Sequence, residues 1–485
     1  MPQPNPALRP PRRQLAPRLS PSARIAPSHV QGALQSTSLD ATLPWADVVW
    51  LDFLSLGDDG VPWSRYTAGI DKDAHHLTRM RIISLLAPIR CGVYQFHCNL
   101  LPGLTQRGCS VTWLCSGSQH TDLIAAGGAE LSDGEVVAPD TDNLADRTRA
   151  LVERISEISP AAILCHPGDR VDLNAIRYVP ASIPKVLILH GSTLATYRCA
   201  RAVRDYVSAT VAISPRIEQD LISAYGFHED RLQFIPHGIN TAECSSRPLN
   251  ESLTDRIRIL SHGRIDRNKG ILWLPEVLAA LAQNTDEWEC TISGDGPDLA
   301  ELKQRIARVG LADHIRFVGW TASEDVPELM SRHDIFLFLS QWEGYPMALI
   351  EAMAGGCAPV ASLLPGVTDW IIQDGVSGLL FPIGNVRQAA QHILGLLSDR
   401  HRLSKIRQQA QGDLSRYSLD WMAEQYYQLL CEAQSGPRQI RPAIRLSNCQ
   451  LAGGLKPAWW HRLPEPIKNH LRILREKIRA SIRVP

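Results

Sequence analysis

Two carboxylates stand eight positions apart in the run Gln341-Trp342-Glu343-Gly344-Tyr345-Pro346-Met347-Ala348-Leu349-Ile350-Glu351-Ala352-Met353-Ala354. Asp334 to Leu339 before it reads as a buried strand, Gly344 and Pro346 punctuate, and Met347 to Ala354 is rich in helix formers. The expectation is a strand, a tight loop and a helix N-terminus. Free N–H groups and the positive dipole end at such a junction favour a phosphate or sugar oxygen, and a glutamate on either side can accept hydroxyl hydrogen bonds. Glu351 lies among apolar residues, where a charge is rarely buried without a partner. A solvated pair of glutamates is the plainer alternative.

A second cluster follows the short apolar strand from Arg256 to Leu260, in Ser261-His262-Gly263-Arg264-Ile265-Asp266-Arg267-Asn268-Lys269-Gly270. A helical run from Ile271 to Ala282 succeeds it. Gly263 and Gly270 let the backbone approach a ligand closely. Arg264 offers a bidentate fork and Lys269 a point charge, a combination suited to a diphosphate. A basic surface turn would be the reading if this pair stood alone.

These motifs, in this order, resemble the family 4 glycosyltransferases of GT-B fold. The resemblance extends from about Arg81 to Cys431, and the paired-glutamate segment is its most specific part. Gly294-Asp295-Gly296-Pro297, Phe317-Val318-Gly319-Trp320 and His237-Gly238-Ile239-Asn240 add weaker matches in serial order. The resemblance implies that Arg264 and Lys269 neutralise the diphosphate of a nucleotide sugar, that Glu351 binds the ribose hydroxyls and that Glu343 faces the transferred sugar. It further implies that backbone groups of Gly344, Tyr345, Pro346, Met347 and Ala348 line sugar and phosphate, with residues near Ser293 to Val318 bordering the base.

In the amino-terminal half, Ile82 to Ala87 is an apolar strand and the loop after it reaches Gly92. The family usually has a glycine-rich loop there, close to diphosphate and acceptor; this chain keeps Gly92 and places Cys91 where a second glycine is common. Further on, Pro184 to Leu189 is almost continuously apolar and ends at His190-Gly191. Parallel strands buried on both faces gather ligands beyond their carboxyl ends. A lone histidine is usually structural, but this position and the resemblance make His190 a donor-sugar contact. It joins Glu343, Arg264 and Lys269 as the candidate catalytic set.

The 485 residues allow two or three domains, and a 44% hydrophobic content can build their cores. Fifty basic and fifty acidic residues give no global pull toward nucleic acid. Eleven cysteines, an odd number without metal-type spacing, suggest a reducing compartment. No apolar run reaches the roughly 18 residues that span a bilayer. A cytoplasmic protein, peripheral on the cytoplasmic membrane face, is expected.

Strands alternating with helical patterns predict an α/β architecture of two doubly wound Rossmann-like domains facing a cleft. The acceptor domain covers 81–245 and the nucleotide-sugar domain 256–433. Residues 1–40, rich in proline and basic, read as a disordered tail. Residues 41–80 are an extension without an assigned role. Asp413 to Ala433 reads as a helix closing the second domain, and in GT-B proteins the last helix crosses back to the first.

Residues 434–485 form a basic amphipathic extension. Ile467, Leu471, Leu474, Ile478 and Ile482 share one helical face, six basic residues cover much of the rest, and Trp459 and Trp460 precede them. Such a helix suits an anionic membrane interface; docking on the protein through the same apolar stripe is the alternative.

The expected reaction is transfer of a glycosyl unit from a nucleotide-diphosphate sugar, a co-substrate and not a resident cofactor, to an acceptor hydroxyl, with retention of configuration as the resemblance implies. A lipid-linked glycan or glycolipid precursor is the acceptor that a membrane-bound helix would suit. No metal is required if Arg264, Lys269 and a helix terminus supply the positive charge. A hydrolase built on Glu343 and Glu351 would leave Arg264 and Lys269 unexplained. A nucleotide-sugar epimerase of similar architecture and a noncatalytic membrane-associated scaffold remain as alternatives.

Overall fold

The computed structural model describes residues 80–89, 91–116, 133–137, 141, 143–241, 256–412, 414–435, 440–456 and 463–483. The expected tail, residues 41–79 of the extension, the linker around 244–254 and the Trp459-Trp460 pair lie outside the described residues, while Met80, assigned to the extension, opens the first strand.

Seven short strands form the first sheet: β1 (Met80–Leu85), β2 (Cys109–Ser116), β3 (Gly134–Val137), β4 (Ala162–Cys165), β5 (Lys185–Leu189), β6 (Ala209–Ala212) and β7 (Leu232–Phe234). Their order is β3-β2-β1-β4-β5-β6-β7 and every pairing is parallel. The central strands are buried along their whole length, as continuous apolar runs require when helices cover both faces. The helices between them are α1 (Gly92–Gln106), α2 (Leu144–Ile158), α3 (Arg170–Ala175), α4 (Leu194–Val203) and α5 (Pro215–Tyr225). Asn143, Asp169, Thr193 and Ser214 cap four of them through side-chain oxygens, satisfying N–H groups that the first turn leaves open.

The second sheet contains β8 (Ile257–His262), β9 (Trp288–Ser293), β10 (Ile315–Gly319), β11 (Ile335–Phe338), β12 (Ala358–Ser362) and β13 (Leu379–Phe381). It runs β10-β9-β8-β11-β12-β13, again all parallel. Its helices are α6 (Leu274–Ala282), α7 (Leu299–Arg308), α8 (Val326–Ser331), α9 (Met347–Ala354), α10 (Thr368–Ile371), α11 (Val386–Ser398) and α12 (Arg400–Ala410). In each sheet the strand order reverses beside the first strand of the domain, so β1 and β4 in one, and β8 and β11 in the other, open a crevice at their carboxyl ends.

Helix α13 (Leu419–Ser435) does not close the second domain. Its Met422, Ala423, Tyr426, Leu429 and Leu430 are buried in the core of the first, against β-strand and α1 residues such as Phe96, Leu100 and Leu104. A stabilising tie between the domains follows from that crossing.

The carboxyl-terminal extension is more than a helix. Residues 440–455 lie along the first domain, where Arg441 N donates to Asp205 O, Ile444 N to Arg177 O, and the Tyr178 hydroxyl to Gln450 O at 2.9 Å. Helix α14 (Glu465–Arg483) then docks on α5 by its charged face. The Arg216–Glu476 pair is buried, and Arg475 and Arg479 both reach Asp220 Oδ2, at 3.0 and 3.1 Å. Docking through the apolar stripe, the alternative drawn from the sequence, is not what the structure shows: Ile467, Leu471, Leu474 and Ile478 face outward. Ion pairs decide the orientation because Arg216 and Asp220 on α5 offer α14 complementary charges in place of an apolar groove.

Candidate active site

The two loops singled out in the second domain meet. Asp266 accepts from Asn268 N at 2.8 Å and caps the single 3-10 turn Arg267–Lys269. The turn closes on Gly270, whose φ of +65° suits glycine; a Cβ there would lie 2.0 Å from Leu339 O. Gln341 N donates to Asn268 O at 3.0 Å and its side-chain amide donates to Arg267 O, so the second loop is fastened to the first. Lys269 is thereby brought to Glu343, with Nζ 2.8 Å from Oε1 and 3.0 Å from Oε2. Ser340 Oγ donates to Oε1 at 2.6 Å. Lys269 keeps 42% of its side chain exposed while Glu343 keeps 9%, so the pair is an open cation held over a buried carboxylate.

Arg264 stands one turn earlier, its guanidinium 3.9 Å from Asp266 Oδ2. Gly263 N donates to Ser293 O and Ile265 N to Asp295 O, which knits the β8 loop to the β9 loop. Asp298 fixes Arg267 through its backbone N–H at 2.7 Å and its guanidinium. Val318 lies half-buried on β10, at the sheet edge.

The Glu343–Tyr345 loop is also where the second domain meets the first. A Cβ on Gly344 would come within 2.8 Å of His190 O, so only glycine allows this approach. Ser192 Oγ donates to Glu343 O at 3.4 Å, and the Tyr345 hydroxyl to His237 O at 3.2 Å. Pro346 precedes α9, whose first turn has no side-chain cap; Met347 and Ala348 open the helix and are half-buried. Glu351, one turn on, is partly exposed and no hydrogen bond or ion pair engages its carboxyl among the described residues. Desolvation by its apolar surroundings pushes its pKa up to about 7.

His190 is not a lone histidine. His166 Nδ1 lies 2.8 Å from its Nε2, and its Nδ1 lies 3.1 Å from His237 Nε2. Ser84 Oγ extends the chain to His166 Nε2 at 3.1 Å. Both ring nitrogens of His190 are thus committed within the first domain, and what it presents to Gly344 is main chain. Phe96 packs on His190 and His237 with centroids 4.9 and 4.8 Å apart. Burial pushes the His166 and His237 pKa values down to about 3 and that of nearby His97 to about 4; His190 falls well below the usual histidine range for the same reason, helped by repulsion from its neighbours. These rings are neutral at physiological pH.

Gly92 opens α1 with space around its α-carbon. Of the sequence-derived set, Lys269, Glu343, Gly344, Tyr345 and His190 are brought together by direct or adjacent contact. Arg264, Gly263, Glu351 and Val318 occupy strand ends or helix turns of the second domain, and Gly92 belongs to the first. His166, His237, Ser192 and Ser340 were not anticipated as site residues. Their signal was available in part: Cys165-His166-Pro167 ends the apolar strand β4 as His190-Gly191 follows β5.

Comparison with known proteins agrees with this architecture. The family model for Glycosyltransferase Family 4 matches residues 92–243, and that for Glycosyl transferases group 1 matches 246–413. Among curated relatives, the amylovoran biosynthesis glycosyltransferase AmsK of Erwinia amylovora is 33% identical over 37% of this chain and 46% of its own length. The mannosylfructose-phosphate synthase of Agrobacterium fabrum is 30% identical over 34% of this chain and 38% of its own. The chain thus spans less than half the length of these two relatives. Among solved structures, a glycosyltransferase from Rickettsia africae superposes with a TM-score of 0.61 at 17% identity, covering 74% of this chain and all of that one. Anabaena HepE, solved in complex with UDP, superposes with a TM-score of 0.60 at 20% identity, covering 73% and 99%. With one family model on each of its two parallel-sheet domains and GT-B structures superposing across both, the chain belongs to family 4 of the GT-B glycosyltransferases.

Proposed function

We propose that the protein transfers a glycosyl unit from a nucleotide-diphosphate sugar to an acceptor hydroxyl, with retention of anomeric configuration. The observation that carries this reading is the Lys269–Glu343 pair at the contact of the two domains. Lys269, largely open on one side, and Arg264 supply positive charge for a diphosphate, and Glu351 supplies a carboxyl without a protein partner for ribose hydroxyls.

When a diphosphate enters, Lys269 can turn from Glu343 to the phosphate oxygens, freeing the carboxylate to accept from hydroxyls of the sugar. In the reaction the bond from anomeric carbon to diphosphate oxygen breaks with its electron pair going to that oxygen, the acceptor oxygen bonds to the carbon, and the acceptor hydroxyl passes its proton to the departing diphosphate. Arg264 and Lys269 then face the charge that grows on the departing diphosphate, and preorganised charge of this kind is often the largest catalytic contribution. Because two protein cations do this, we expect turnover to persist with chelator. A glycan or lipid-linked glycan is the acceptor class, a reading supported by the relative named for amylovoran biosynthesis.

The test is incubation with a panel of UDP-, GDP- and dTDP-sugars and a glycolipid extract, following nucleotide diphosphate release and the anomeric configuration of the product by proton NMR. Release from one donor, abolished in Glu343→Gln and giving a retained anomer, supports the reading. Release with inversion would remove the retaining assignment.

A further inference from the structure

Helix α14 is mounted inside out. At about 100° per residue, buried Glu476 lies about 170° around the helix from the mean direction of Ile467, Leu471, Leu474 and Ile478. Those four side chains are 47%, 53%, 47% and 51% exposed, although an amphipathic helix on a globular surface ordinarily turns such a stripe inward. The inward role is taken by charge: Arg216 holds Glu476, and Asp220 holds Arg475 and Arg479.

We propose that the outward face of α14 seats on an anionic lipid surface. Between Ile467 and Arg479 the helix has five lysines and arginines; Arg475 and Arg479 pair inward with Asp220 as Glu476 does with Arg216, and Lys468, Arg472 and Lys477 lie outside those pairs. Lys468 flanks the stripe on one side, His470 and exposed Lys477 on the other, so an apolar strip lies between borders that each carry a lysine. A second copy of the chain is the poorer fit, because twofold pairing of two such faces would bring basic borders against basic borders. Anionic headgroups complement the borders while the stripe enters the acyl boundary.

The helix also touches the site. Arg472 stacks over the ring of Trp342 at 5.2 Å from its centroid, one residue before Glu343. A lipid surface on α14 would therefore hold the donor loop beside the bilayer. That last consequence alone rests on the sugar-transfer reading; lipid binding is measured without it.

The experiment is flotation of the full chain with vesicles of phosphatidylcholine, alone or with one-third phosphatidylglycerol, comparing wild type with Leu471→Ser combined with Leu474→Ser. The expected result is binding that needs phosphatidylglycerol, weakens in high salt and falls at least tenfold in the double variant, with little change in melting temperature because Leu471 and Leu474 are 53% and 47% exposed. Should the serine pair not fold, Lys477→Glu must still weaken binding, by about fivefold or more. Equal binding of wild type and double variant, or no preference for phosphatidylglycerol, overturns the proposal. So does a wild-type dimer in sedimentation velocity that the serine pair converts to monomer, since the stripe would then be a subunit interface.

Discussion

Lys269 Nζ sits 2.8 Å from Glu343 Oε1, joining side chains 74 positions apart in the sequence across the carboxyl ends of β8 and β11. The two loops that bear them are further linked by Gln341 N donating to Asn268 O. The pair thus fixes the β8 loop to the β11 loop beside the contact with the first domain.

Lys269→Ala leaves Glu343 buried with the Ser340 hydroxyl as its remaining side-chain donor. Removing one member of a mostly buried pair exposes the other to an unpaid desolvation penalty, discounted here because Lys269 is open to water. A stability loss of about 1–2 kcal/mol is expected in urea unfolding. Affinity for a nucleotide diphosphate should fall by about tenfold or more; an unchanged urea midpoint would show that the pair holds nothing together.

Glu351 gives a pH signature. Its pKa is raised to about 7 in the folded chain, so between the ordinary glutamate value and 7 the folded state holds a proton that the unfolded state has released. Stability from this group therefore falls as pH rises through that window and is level above it. Glu351→Gln should be more stable than wild type at pH 8 by about 1–3 kcal/mol, with the difference vanishing near pH 4.5. If the carboxylate accepts ribose hydroxyls, nucleotide affinity of wild type rises from pH 6 to 8 and that of the glutamine variant stays flat. Parallel pH profiles for the two proteins would contradict the ribose assignment.

The buried imidazoles of the first domain act in the opposite direction. His97, His166 and His237 have pKa values lowered to about 4, 3 and 3, so below about pH 6.5 the unfolded chain takes up protons that the folded chain does not. Stability is full above 6.5 and declines on acidification, by up to about 1.4 kcal/mol per pH unit for each ring. The urea midpoint should drop steeply from pH 7 to 5.5. His166→Asn, which cannot charge, should flatten that slope; an equally steep slope would place the acid sensitivity elsewhere.

Gly344→Ala tests the closeness of the domains. Its Cβ would meet His190 O at 2.8 Å and Gly191 Cα at 3.1 Å, both backbone, so the Glu343 loop must withdraw. Turnover should fall by about tenfold or more, because a misplacement of about 1 Å costs that much or more in a positioned reaction. Nucleotide affinity, which the proposed reading assigns to Arg264, Lys269 and Glu351, should change little. Wild-type turnover would mean that this contact does not position the reaction.

Both sheets were legible because buried parallel strands write themselves as continuous apolar runs, and Gly263, Gly270, Gly344 and Pro346 mark the loops that follow them. Contacts between distant segments were not. Nothing in the spacing of His166, His190 and His237 announces a hydrogen-bonded chain; strand order sets β4 beside β5, and the segment after β7 returns His237 to them. The face of α14 that docks was hidden for a similar reason. Periodicity located the Ile467–Ile478 stripe, but only Arg216 and Asp220 on α5 determine that the charged side turns inward.

The most direct test is isothermal titration of UDP, GDP, ADP and dTDP, each with and without chelator, into wild type, Lys269→Ala and Glu351→Ala. Chelator-insensitive binding of one nucleotide, weakened at least tenfold in both variants, is predicted. Equal affinity in all three proteins would contradict a nucleotide-diphosphate site between Lys269 and Glu351.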